Sequence, residues 1–266
     1  MASPREPDSG KDRPIPLAEL PHERLANITV VATDVDGTLT RDGELGAELL
    51  AALVDLRTAG ITVIPISGRP AGEVLGLCRY LPVDFGVAEN GLFEIVPDAP
   101  PRWLTAPTDT GRLREVGEHL NRELDAKLRL TADAFCRLGD VAYERDDRDD
   151  TELLRLRTAA EAHGVHLIWS SVHIHLAERP PDKGAGLLRL LADRNLDPRT
   201  VVTVGDAPND AGLFTTDRFG LTVGTADVLA QRRWFPQLPE YVTAARELDG
   251  FSQLAELLLR TCSSEP

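Results

Sequence analysis

Asp34 and Asp36 stand two residues apart where the apolar run of residues 28–33 ends, inside the stretch VVATDVDGTLTRDG. Other chargeable or hydroxyl-bearing groups follow later apolar runs in the same way. Ser67-Gly68-Arg69 follows residues 61–66, Glu89-Asn90-Gly91 follows residues 85–88, and Gly205-Asp206 with Asn209-Asp210 follows residues 200–204. Lys183 opens a helical pattern between the last two groups. If these ends meet, Asp34, Asp36, Asp206 and Asp210 bring four negative charges and Lys183 one positive charge. Two like charges about 4 Å apart repel by about 4 kcal/mol at an effective dielectric near 20. Such a cluster calls for a divalent cation, and ligands that are all oxygen favour Mg²⁺ over zinc. The ion leaves a net charge of about −1, and one protonated aspartate brings the site to neutrality. One ionised carboxylate beside one protonated carboxyl is what a nucleophile and its general acid require.

The elements that must position these groups alternate. Residues 28–33, 61–66, 85–88, 200–204 and 220–223 are short, β-branched and apolar, and read as buried strands. Leu45, Leu49, Leu50, Leu53 and Leu56 recur at helical spacing, and Gly60 stops that helix. Helical patterns also cover residues 71–79, 184–194, 207–214 and 248–259. Strand and helix in turn, with near-continuous apolar strands, predict an α/β fold: a parallel sheet covered on both faces. Ligands of such sheets sit beyond the carboxyl ends of the strands, where the polar residues above fall. Gly37 lets the chain turn sharply after the first strand, so that both aspartates face one cavity.

Residues 92–178 read differently. Residues 113–128 and 151–163 are charged amphipathic helices, and residues 128–143 and 165–177 are pairs of shorter, more polar strands. This predicts an inserted α+β module, with residues 27–91 and 179–262 forming a discontinuous core and residues 1–26 a mobile tail. His173 and His175 share one face of a late strand in the insert, which reads as a solvated face. Trp234 and Phe235, in QRRWFPQLPEY, are either core or a partner patch.

DVDGT, SGRP, DKG and GDAPND, in that order, resemble the four signature motifs of the haloacid dehalogenase (HAD) superfamily of phosphatases. The resemblance covers the core, about two-thirds of the chain. It implies that Asp34 is a nucleophile that forms an aspartyl-phosphate and that Asp36 is the general acid and base. In this family the carbonyl of Asp36 also joins the metal. Ser67, with Gly68 and Arg69 beside it, falls where the phosphoryl oxygens bind, and Lys183 where a cation steadies Asp34. Asp206 and Asp210 fall on acidic metal ligands, the second direct or through water, and Asn209 on a residue that orients their loop. The placement of the insert resembles the C2-type cap of the Cof-like branch, subclass IIB. Short caps of that type occur in archaeal-type phosphoglycolate phosphatases, sucrose-phosphate phosphatase and mannosyl-phosphoglycerate phosphatase. There the cap excludes water and reads the leaving group, and Asn90 at the entry hinge is either a substrate contact or a turn former.

The expected protein is therefore a Mg²⁺-dependent phosphatase of a small phosphorylated metabolite, a sugar phosphate or a phosphoglycolate-like acid. Two rivals stand beside it. One is a phosphotransferase resembling phosphomannomutase, which shares DVDGTLT but differs at SGRP. The other is a non-catalytic binding protein on the same fold. With 29 basic and 43 acidic residues and a net charge of −14, the chain is not built for nucleic acid. No segment approaches the roughly 20 apolar residues of a membrane span. Three widely spaced cysteines, Cys78, Cys136 and Cys262, read as reduced thiols, and the expected setting is the cytoplasm, as monomer or homodimer.

Overall fold

The computed structural model describes residues 13–170 and 172–262. Strand β1 is Ile15–Pro16 and β2 is Val30–Thr33; helix α1 is Ala47–Thr58, β3 Thr62–Pro65, α2 Ala71–Tyr80 and β4 Gly86–Ala88. Then come β5 (Phe93–Ile95), β6 (Arg102–Trp103), α3 (Thr110–Leu124), β7 (Val141–Glu144), α4 (Asp150–Ala162), β8 (His166–Trp169) and β9 (His173–Ala177). The chain closes with α5 (Lys183–Asp193), β10 (Val201–Gly205), β11 (Leu221–Gly224), α6 (Asp227–Gln231), β12 (Tyr241–Val242) and α7 (Glu247–Cys262).

Six strands form a parallel sheet in the order β1-β12-β11-β10-β2-β3. Strand alternation splits its side chains between two cores. Val31 and Val63 point to a layer with Leu49, Leu53 and Leu56 of α1, Val74 of α2, and Leu254 and Leu258 of α7. Val30, Ala32 and Ile64 point to the other layer, with Leu187, Leu190 and Leu191 of α5 and with Phe214. Burial on both faces is why these strands lack a polar alternation. The α/β expectation is met by this sheet.

Two expectations about the ends of the core need correction. Residues 13–26, read as tail, instead lie against the sheet. β1 pairs with β12, and Leu17, Leu20 and Leu25 are buried. Their three leucines lie among prolines and charges without a helical or strand period, so the pattern hid them. Residues 1–12 lie outside the described residues. At the other border, β5 and β6 fall within the expected insert, residues 92–178. β5 pairs antiparallel with β4 and β6 with β5, and Phe93 and Ile95 join the core with α1 and α7. β4 itself touches β3 through a single parallel bridge, Ile66 to Val87.

Beyond β6, a second sheet has the order β7-β9-β8, all antiparallel. One face is a separate core. Leu113, Val116 and Leu120 of α3 and Leu153, Leu156 and Ala160 of α4 cover Val141, Tyr143, Leu167, Trp169, Ile174 and Leu176. Asp109 caps α3 by accepting from the Gly111 and Arg112 amides, and Asp149 caps α4 by accepting from Glu152. α3 stops at Leu124, four residues before the expected end, where Asp125 takes a left-handed turn (φ 49°). The opposite face of the sheet carries His173 and His175 and turns toward the main sheet. The expected solvated face is thus an interior one, and His175 is 1% exposed. Trp234 bridges the two layers, its ring edge-on to Trp169 at 5.2 Å, while Phe235 packs at a tilt against Phe214 in the main core.

Candidate active site

The carboxyl ends of β2 and β10 lie side by side, since Thr33 pairs with Val204. Asp34 continues β2 and its amide donates to the Val204 carbonyl at 2.9 Å. Gly37 follows in the left-handed region (φ 83°), and a Cβ there would lie 2.6 Å from an Asp206 oxygen. Glycine is thus required both for the turn and for the approach of the two loops. Ser67 ends the β3 segment, and its hydroxyl accepts from the Arg69 amide at 3.0 Å. After β4, Glu89 (φ 51°) and Asn90 (φ 55°) both sit in the left-handed region and wind the chain back toward Ser67, whose carbonyl accepts from the Asn90 amide at 2.9 Å.

These turns gather the residues named from the sequence. Lys183 Nζ, fully buried at the start of α5, donates to Asp34 Oδ1 at 2.5 Å and to Asp210 Oδ1 at 2.6 Å. Asp210 Oδ2 accepts from the Asp206 and Ala207 amides at 2.9 and 3.0 Å. Thr38 Oγ1 donates to Asp206 Oδ1 at 3.2 Å. Asn209 Nδ2 donates to Asn90 Oδ1 at 3.1 Å. Arg69 grips Asp36 with two bonds, Nε to Oδ2 at 2.8 Å and Nη2 to Oδ1 at 2.5 Å, and reaches Glu73 with Nη1 at 2.6 Å.

Asp34, Asp206 and Asp210 each offer an oxygen within 4.8 Å of the other two. All three are buried, and they suit a small hard cation. Burial first, then the Asp210 charge, pushes the Asp34 carboxyl up to about 7, against the pull of Lys183. Burial, then Asp34 and Asp210, also raises Asp206 well above the carboxylate range. Burial alone would lower the Lys183 ammonium, but Asp210 and Asp34 outweigh it and hold it raised. The one buried ammonium therefore leaves the acids short of positive charge, which is the fit a divalent ion needs. The carboxylate of Asp36 stands outside this trio, paired with Arg69. Asp210 has both oxygens already engaged by protein donors.

The second sheet roofs the site. Asp34, Asp36, Gly68, Arg69 and Asn209 line a cavity of about 10 Å³, closed from above by Ser170, Val172, His173 and His175. That is room for about one water molecule, so a phosphoester enters only when the roof lifts. Two contacts hold it down. Arg137 Nη1 donates to the Gly68 carbonyl at 2.9 Å, and the Glu89 carboxylate accepts from the Leu138, Gly139 and Asp140 amides. Arg137 also pairs with Asp133 and Asp140, both at 3.0 Å, and Asp140 Oδ2 lies 2.8 Å from His175 Nδ1. Sequence reading missed Arg137, Asp133 and Asp140, which lie in a loop without periodicity; their i,i+3 and i,i+4 spacing was the faint signal.

No family model matches the chain. A phosphoglycolate phosphatase of Methanoculleus marisnigri is 30% identical over 212 residues, covering 76% of this chain and 86% of that protein. This chain belongs to the haloacid dehalogenase superfamily of phosphatases. Among solved HAD-fold structures, a Thermoplasma acidophilum protein superposes with a TM-score of 0.70 at 20% identity, over 86% of this chain and 99% of the other. The sucrose-phosphatase of Synechocystis, solved with sucrose and phosphate, gives 0.65 at 16% identity, over 86% and 97%. At these identities the likeness is one of fold, and it spans the HAD core and the inserted sheet together.

Proposed function

We propose that this HAD phosphatase is Mg²⁺-dependent and hydrolyses a small phosphorylated metabolite through an aspartyl-phosphate on Asp34. The observation that carries the reading is Lys183 braced between Asp34 and Asp210 in a buried acidic pocket. The relatives' names and the fold likeness to a sugar phosphatase support a substrate among phosphoglycolate-like acids and sugar phosphates.

The Asp34 carboxylate attacks phosphorus in line. The bond from phosphorus to the ester oxygen breaks, and that oxygen takes the proton of Asp36. Water then attacks phosphorus of the aspartyl-phosphate while Asp36 accepts its proton, which returns Asp34 and releases inorganic phosphate. Lys183 holds Asp34 in place and neutralises charge on the transferring group. Ser67 and the backbone of Gly68 flank the phosphoryl position. Asp34 and Asp206 would hold Mg²⁺, with Asp210 fixing the Asp206 loop; the ion would supply charge neutralisation for the phosphoryl oxygens. Arg69 must release Asp36 before it can act. Among the described residues, no helix is long and apolar enough to cross a membrane.

The test is hydrolysis of p-nitrophenyl phosphate by the purified protein with Mg²⁺ and with EDTA, followed by a phosphometabolite screen. The expected result is turnover that EDTA abolishes and that Asp34→Asn lacks. Unchanged activity of Asp34→Asn would remove Asp34 as nucleophile.

A further inference from the structure

Among the described residues, a second set of metal-binding groups lies on the outer helices of the roof, apart from the acidic trio. His119, Glu123 and His163 each offer one ligand atom, and these atoms lie within 4.8 Å of one another. His119 and Glu123 are four residues apart on α3, so they share one face of its C-terminal end. His163 comes from another element, the C-cap of α4. Its backbone is fixed. Its amide donates to the Ala160 carbonyl at 3.0 Å, its carbonyl accepts from Arg112 Nη2 of α3 at 3.0 Å, and Gly164 turns the chain away at φ 67°.

The spacing fits a coordination sphere. His119 Nε2 lies 3.0 Å from Glu123 Oε1, and His163 Nε2 lies 3.6 Å from Glu123 Oε2. A tetrahedral zinc ion with bonds of about 2.0–2.2 Å sets neighbouring ligand atoms about 3.3–3.5 Å apart. The side chains of His119, Glu123 and His163 are 43%, 51% and 31% exposed, so an ion reaches them from solvent and small rotations draw the two rings together. Ion pairs at such exposure are worth about 1 kcal/mol or less, which is little for ordering three side chains from two helices. A divalent ion supplies the rest. Two imidazoles and one carboxylate suit zinc rather than magnesium, the reverse of the all-carboxylate trio. Both helices also end here, and helix C-termini carry partial negative charge that favours a cation.

One contact must give way. Arg122 Nη2 lies 3.4 Å from His119 Nδ1. A guanidinium only donates, so Nδ1 accepts there and Nε2 carries the ring proton. Zinc needs the Nε2 lone pair, so the proton moves to Nδ1 and Arg122 turns away. Arg122 is 65% exposed and already 3.8 Å from Glu118, which receives it.

We propose that His119, Glu123 and His163 bind one Zn²⁺ ion, with water in the fourth position, and that the ion staples the end of α3 to the end of α4. These helices cover the outer face of the second sheet, while the acidic trio lies beyond the other face. The staple therefore acts on the stability of the roof and not on the chemistry beneath it. It stands whether or not the phosphatase reading does, and p-nitrophenyl phosphate hydrolysis tests that reading alone.

The full chain, stripped with EDTA and dialysed into excess Mg²⁺, is titrated with Zn²⁺ by calorimetry and with Co²⁺ by visible absorption. Tetrahedral Co²⁺ absorbs strongly, and octahedral Co²⁺ on oxygen ligands weakly. The expected result is one Zn²⁺ equivalent per chain that survives Asp206→Asn, an intense Co²⁺ band, and a melting temperature raised by Zn²⁺ beyond its value with Mg²⁺. His163→Ala and Glu123→Gln, made separately so that one serves if the other does not fold, should weaken Zn²⁺ binding at least tenfold and abolish both the band and the extra rise. Zinc affinity or a melting shift equal in the wild type and the folded variants overturns the site. A zinc equivalent that only Asp206→Asn removes belongs to the acidic trio and overturns it as well.

Discussion

Lys183 Nζ sits between Asp34 Oδ1 and Asp210 Oδ1, at 2.5 and 2.6 Å, with no exposure to solvent. It joins the end of β2 to the loop after β10 and is the ammonium that makes their approach tolerable. Lys183→Met keeps the length and removes the charge. Asp34 and Asp210 then lose their charged partner, which costs about 3–5 kcal/mol where a buried pair loses one member. Expected outcomes are a clear fall in the denaturation midpoint, partly recovered by Mg²⁺, and a loss of kcat of about 10²–10³-fold. Near-normal kcat would mean that the lysine only holds the loops together.

In the proposed mechanism Asp36 protonates the leaving oxygen, so its worth depends on how badly that oxygen needs a proton. A nitrophenolate leaves without help, while an alkoxide does not. Asp36→Asn should therefore depress kcat/KM for an alkyl phosphate by about 10²–10⁴-fold, and by a smaller factor for p-nitrophenyl phosphate. Measuring both substrates with one enzyme preparation separates this from misfolding, which lowers both alike. An equal loss on both would count against the acid role.

The convergence of the core residues was legible because it rests on short-range facts. Asp34, Ser67, Lys183 and Asp206 each follow or open an element whose period is plain, and parallel sheets bring those ends together. The roof was not legible, because its contacts depend on which face of a strand turns inward. His175 alternates with Ile174 and Leu176, and the pattern alone reads as one dry and one wet face. The second face is buried only because another layer lies under it. The same limit applies to Leu17, Leu20 and Leu25, whose burial is set by a sheet edge far away in sequence, and to Phe93 and Ile95, whose strand pairs backward with β4. Asp36 is a further case, since its bidentate hold by Arg69 depends on a rotamer that spacing does not fix.

Metal removal and pH should act together. The Asp34 carboxyl is raised to about 7 by burial and by Asp210, while an unfolded aspartate titrates near 3.9. Between those values the folded chain keeps a proton that the unfolded chain releases. Without a divalent ion, this group's contribution therefore declines as pH rises from about 4 to 7. Bound Mg²⁺ favours the ionised form and offsets that decline. The melting temperature with EDTA should thus trail the value with Mg²⁺ by more at pH 7.5 than at pH 5.5. A gap of equal size at both pH values would argue that the ion does not bind at these carboxylates.

Glu89 ties the roof to the core. Its Oε1 accepts from the Ala71 and Leu138 amides at 3.2 and 2.9 Å, and its Oε2 from Gly139 and Asp140 at 2.6 and 3.1 Å. One buried carboxylate thus satisfies the first amide of α2 and three successive amides of the loop that carries Arg137 and Asp140. Glu89→Gln keeps the shape but turns an NH₂ group toward amides that need an acceptor. The expected cost is about 1–3 kcal/mol, read as a lower denaturation midpoint. Amides 138–140 should also exchange hydrogen faster, while those of β2 and β10 keep their protection. If protection of amides 138–140 is unchanged, the roof is held by other contacts, and Arg137 on the Gly68 carbonyl becomes the next residue to remove.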